Sequence, residues 1–237
     1  MDTDPGPMLK RLFSTHLICG TIFGQSATIT TRLCLDLPNR ATKCGGSRHC
    51  GVYVARAVIS DRQPFPEGWV LIVPKEHFIC MGALPPDFLR ELEQTKIAIA
   101  ATLSHQYGEI CAFEHGPHAV NRQVGCGVDH AHLHLVPLEF DLRSAADSFT
   151  APEVRWKAGG LESCRAVFNK GQDYLYIEQP LGYGRIAAHR SFGSQILRKA
   201  IAAHLGVPEQ FSWRENPCVE VISRTIRTLN GPFAGTI

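Results

Sequence analysis

An α+β fold built on an antiparallel sheet is what this sequence predicts, and three observations carry the expectation. Short runs rich in β-branched and aromatic residues recur along the chain; one long amphipathic segment, residues 85–108, sits between them. In residues 128–138, VDHAHLHLVPL, the residues alternate so that, if the run is extended, His130, His132 and His134 share one strand face. Ala131, Leu133 and Leu135 then face a core.

Taken in order, residues 1–45 carry Gly, Thr and Asp without a clear period, so an irregular lead-in is expected. GVYVARAVI (51–59) and GWVLIVP (68–74) read as strands separated by a turn region. The segment PPDFLRELEQTKIAIAATLSHQYG opens with Pro and Asp and closes at Gly108, with Phe88, Leu89, Leu92, Ile97 and Leu103 at roughly helical spacing, so a helix follows. EICAFEHG (109–116) returns to strand, a loop holding Gly125, Cys126 and Gly127 comes next, and the histidine strand closes the unit. Beyond Asp141 lies an α/β extension: strand-like pieces at CRAVF and DYLYIEQP, then helices over 191–206 and 216–229. The domain reading is an irregular segment 1–45, a core domain 46–140, and an extension 141–237 packed on it.

Lys and Arg total 24 against 22 Asp and Glu, so no basic field favours a nucleic-acid polymer or a membrane surface. The acidic, Pro- and Gly-containing start argues against a leader or a span, and nine scattered cysteines fit reduced thiols, so the expectation is a cytoplasmic protein.

Three chemistries compete for the histidine run. It is a half-buried strand with satisfied side chains, or a metal site using imidazoles at i and i+2, or a covalent catalyst whose neutral imidazole attacks phosphorus. Gly125 and Gly127 before it let backbone N–H groups form an anion nest, which a phosphate needs and a metal does not. His77, just past the GWVLIVP strand, offers a fourth imidazole.

The run His130-Ala-His132-Leu-His134-Leu-Val resembles the signature of the histidine-triad (HIT) superfamily, and GWVLIVPKEHFICMGAL resembles that family's upstream element. The resemblance covers residues 45–140, and the tail SQILRKAIAAHLG resembles extended bacterial members related to dinucleoside polyphosphate hydrolases. It implies a HIT-like antiparallel sheet of about five strands with a long helix, and a nucleotide phosphohydrolase or nucleotidyltransferase acting at an α-phosphate. By this resemblance His132 is the nucleophile, the carbonyl of His130 holds its Nδ1–H, His134 touches a non-bridging phosphate oxygen, and His77 supports the cluster. It further implies a nucleotide substrate (a dinucleoside polyphosphate, a nucleotide-sugar or a nucleoside phosphoramidate), no required cofactor, and a homodimer.

Gly125, Cys126 and Gly127 stand where many members have Gly-Gln-Ser, and Glu114 and His115 where an Asn is usual. Gly125, Cys126, Gly127, Glu114 and Gln195 are the candidate substrate-binding residues. Cys34, Cys44, His49 and Cys50 are candidates for a structural zinc, though without a CxxC pair. His115 and His118 read as solvated loop residues, and Gln195 and Arg198 as a polar helix face able to reach a phosphate. The alternatives to an enzyme of this kind are a nucleotide-binding protein without turnover and a histidine-ligated metalloenzyme.

Overall fold

The computed structural model describes strand backbone at residues 13–17, 31–35 and 50–54, then residues 65–120, 130–190 and 192–212, and helical positions 221, 224, 225 and 228. The antiparallel α+β arrangement expected from the sequence is present, with a sheet larger than the five strands anticipated. Among the described residues nine strands form one sheet: β1 (Phe13–Leu17), β2 (Thr31–Leu35), β3 (Cys50–Val54), β4 (Val70–Pro74), β5 (Ile110–Gly116), β6 (Leu133–Pro137), β7 (Trp156–Ala158), β8 (Asp173–Glu178) and β9 (Gly184–His189). Their spatial order is β1-β2-β3-β4-β6-β5-β8-β9-β7, and every pairing is antiparallel.

Two expectations are corrected by this topology. The lead-in 1–45 was expected to be irregular, yet β1 and β2 lie in it and lengthen the sheet. The extension adds its strands in the plane of the sheet, because β8 pairs directly with β5, from Ala112 opposite Glu178 to Gly116 opposite Tyr174.

Helix α1 (Pro86–Tyr107) forms where the sequence places it. Pro86 suits the first turn, Asp87 complements the dipole, and Gly108 at φ 85° ends the helix with its N–H on the Ser104 carbonyl. Leu89, Leu92, Ile99 and Leu103 make a buried stripe, whereas Ile97 falls off that stripe and is 63% exposed. CRAVF, read as a strand, lies instead in helix α3 (Leu161–Phe168). A five-residue apolar run does not reveal its period; Leu161 and Cys164, three apart and both buried, show the helical one. Helices α2 (Leu142–Asp147) and α4 (Ile196–His204) complete the extension, and Val221, Arg224, Thr225 and Thr228 of the expected final helix are helical.

The sheet separates two buried clusters. On one side α1 and α3 cover Ile72, Leu133, Leu135 and Tyr174. On the other, α2 and α4 bring Leu197 and Ile201 over Trp69, Phe113, Val136 and Leu175. Strand alternation therefore places Ala131, Leu133 and Leu135 on the α1 side and the histidines on the side that the extension covers.

Candidate active site

The expected histidine strand begins later than its spacing suggests: β6 starts at Leu133, between β4 and β5, so His134 is in the sheet while His130 and His132 lie in the segment leading into it. Leu71 pairs with His134 on one flank and Phe113 with His134 on the other, while the Ala131 N–H bonds the Phe78 carbonyl 2.6 Å away. That last bond ties the triad to the segment carrying His77.

Each imidazole has a distinct partner. Nδ1 of half-buried His132 is 2.7 Å from the His130 carbonyl, which only accepts, so Nδ1 carries the proton and Nε2 keeps its lone pair. His130 directs Nε2 to the Pro74 carbonyl at 3.0 Å and lies edge-on to His77, with ring centroids 5.3 Å apart. His134 is 6% exposed and stacks on Phe113 at 4.3 Å; its Nδ1 accepts from the Trp69 indole N–H at 2.9 Å. Indole only donates, so a neutral His134 carries its proton on Nε2 and presents a donor. The rings of His132 and His134 are 4.9 Å apart.

Electrostatics keep these helpers uncharged. Burial holds His134 well below the ordinary imidazole value, aided by His132 and Arg198. Burial also lowers His130, with His77 and His132 adding to the effect and its bond to Pro74 opposing it. The structure thus brings together His77, His130, His132 and His134, and adds Trp69, which sequence reasoning missed. An aromatic just before β4 was visible, but its reach to His134 depends on register.

The remaining candidates divide. Glu114 is turned from the site: β5 alternation puts it on the α1 side, where it accepts from Met81 N–H at 2.7 Å and from the Tyr174 hydroxyl. Burial raises its carboxyl to about 7, opposed by those two bonds and by His132. His115 takes the triad-side position, contrary to the solvated loop expected: it is on β5, and neither ring nitrogen has a partner among the described residues. His118 is paired, its N–H at 2.9 Å and its Nδ1 at 2.7 Å from Oδ1 of fully buried Asp173. Gln195 stands at the start of α4 with φ 55° and a buried Oε1 that has no partner among the described residues. Arg198 is buried rather than on a polar face; its guanidinium lies over Trp69 at 4.9 Å and donates to the Phe211 carbonyl.

Gly125, Cys126 and Gly127 lie outside the described residues, as do the zinc candidates Cys44 and His49. Cys34 and Cys50 lie in β2 and β3, whose backbone alone is described. Among the described residues no group of three or more His, Cys, Asp or Glu is placed to hold one metal ion. A cleft of about 800 Å³ opens elsewhere, on the α1 side between Ile97, Tyr183 and the Lys96–Glu178 pair. At its floor the Glu178 carboxylate is already engaged by Lys96, the Tyr176 hydroxyl and the Gly182 N–H.

Against known proteins, the family model of the HIT domain matches residues 54–141, under half of the chain. The matched span contains His77, the triad, α1 and β4 to β6, and it stops where α2 begins. No curated protein matches the chain.

Proposed function

We propose that the protein transfers or hydrolyses a nucleotidyl group at its α-phosphate through a covalent intermediate on His132. The observation that carries this reading is the 2.7 Å bond from His132 Nδ1 to the His130 carbonyl, which puts the ring proton on Nδ1 and the nucleophilic lone pair on Nε2. The match of residues 54–141 to the HIT domain supports nucleotide hydrolase or transferase chemistry in general. In the first step a P–Nε2 bond forms as the leaving group departs with the bonding electron pair and takes a proton from water. In the second, water or another acceptor attacks phosphorus, gives up a proton and releases His132.

His134 fits the role of a neutral donor to a non-bridging oxygen, since its Nδ1 is occupied by Trp69 and its proton is on Nε2. His130 and His77 orient the nucleophile from behind. A dinucleoside polyphosphate, a nucleotide-sugar and a nucleoside phosphoramidate all satisfy this first half-reaction.

Labelled nucleotide, quench and peptide mapping test the reading: label is expected on His132, and His132→Asn is expected to lose both label and turnover by at least about a thousandfold. Undiminished turnover in that variant would sink it. Metal analysis separates the metalloenzyme alternative, for which stoichiometric metal would be lost together with activity in His130→Ala, His132→Ala and His134→Ala.

A further inference from the structure

Beside the triad sits a group that the chemistry above does not use. Phe113 pairs with His134, so continuing the β5–β6 register sets His115 beside His132 on the same face. On its other flank His115 is opposite Leu175 of β8, and the Phe192 ring meets it edge-on at 5.7 Å. Both ring nitrogens are buried without a partner among the described residues. A buried imidazole with neither nitrogen bonded weakens the folded state, and such a group persists where a ligand completes its bonds.

The walls of this position come from the extension. Leu175 and Phe192 lie beyond residue 141, outside the span that matches the HIT domain. The triad, within that span, carries the step shared by every substrate of this chemistry; what differs between substrates is the group that leaves or accepts. We propose that His115 is the hydrogen-bonding residue of a subsite for the leaving or accepting group, and that this group is a neutral one bearing hydroxyl or amine functions rather than a second phosphate chain.

The hydrogen-bonding pattern of His115 selects that class. Burial pushes His115 down to about 3, with Asp173 opposing and His132 adding, so at neutral pH it offers one N–H donor and one nitrogen acceptor but no positive charge. An ionised phosphate oxygen can only accept from the N–H, whereas hydroxyl and amine groups can also donate to the bare ring nitrogen. Asp173, fully buried on the same face and engaged by His118, adds a carboxylate that disfavours a polyphosphate. Gln195, three residues past Phe192, likewise has a buried acceptor oxygen without a partner among the described residues.

This inference rests on the nucleotidyl-transfer reading, and the experiment separates the two. Substrates sharing one nucleoside 5′-phosphate but differing in leaving group (a phosphoramidate, a sugar ester, a dinucleoside tetraphosphate) are compared in wild type, His115→Leu and His115→Asn. His115→Leu is expected to lower kcat/KM for the phosphoramidate or the sugar ester about ten- to a hundredfold, with nucleoside monophosphate affinity and melting temperature preserved or raised. His115→Asn, which keeps a donor and an acceptor, is expected to recover part of the loss and serves alone should the Leu variant not fold. Unchanged kcat/KM, an equal loss of monophosphate affinity, or a wild-type preference for the tetraphosphate would overturn the subsite. A wild-type protein that never labels on His132 counts instead against the nucleotidyl-transfer reading.

Discussion

Trp69 decides which nitrogen of His134 carries a proton, and that single bond turns a buried imidazole into a donor aimed from the opposite end of the ring. Trp69→Phe keeps the ring packing against Phe65 and Phe113 but removes the N–H, leaving the tautomer unassigned. Turnover is expected to fall about tenfold for about 1–2 kcal/mol of stability, with a changed His134 tautomer in nitrogen NMR. Glu114 makes a second residue-scale test. Its folded value, raised from 4.5 to about 7, means that the folded chain binds the extra proton between those limits, so stability is present below about 4.5 and is lost as pH rises through 7. Glu114→Gln removes this dependence, and denaturation from pH 4.5 to 8 should show the variant gaining about 3 kcal/mol on wild type as the pH rises. Buried His115 and His134 and half-buried His130 act on the acid side, since their lowered values remove stability as pH falls below about 6.5. At this scale the triad was legible because period-two spacing is local information. Trp69 was not, and Glu114 and His115 exchanged places, because which of two adjacent residues faces a site is set by cross-strand register.

At the scale of elements, α1 is held to the extension by an ion pair, Lys96 with Glu178, both almost fully buried and further bonded to Glu93, Tyr176 and Gly182. Lys96→Met strands a buried carboxylate, and chemical denaturation is expected to show a loss of about 3–5 kcal/mol. Pairing it with Glu178→Leu should recover most of that loss, because both charges then leave together. The long helix was readable from its Pro start, Gly stop and apolar stripe. Helix α3 was mistaken for a strand because it is only two turns long, and β9, GRIAAH, was not read at all because one arginine and small side chains give it no alternation. Local pattern specifies elements in proportion to their length, and the extension is made of short ones.

For the whole molecule, the extension is part of the sheet, and a chain ending at residue 141 would bare the β5 edge and the Phe113–Val136 surface that α4 covers. Such a truncation is expected to aggregate, and size-exclusion chromatography with a dispersed amide spectrum is the check: a soluble, dispersed monomer would show the extension to be dispensable. Pairing with β8 also fills the β5 edge, so the homodimer that the resemblance suggests would have to use β1, β7 or a helical face. No helix among the described residues is long and apolar enough to cross a membrane. Among the described residues, β6 alone joins β1–β4 to the half containing β5, β8, β9 and β7, and it slots between two strands made earlier in the chain. His134 rides on this strand, and His130 and His132 lead into it: until β6 is seated there is neither a continuous sheet among the described residues nor an assembled triad. Nucleotide held at the triad would clamp that joint, slow its opening, and leave its mark in the amide exchange of residues 133–137.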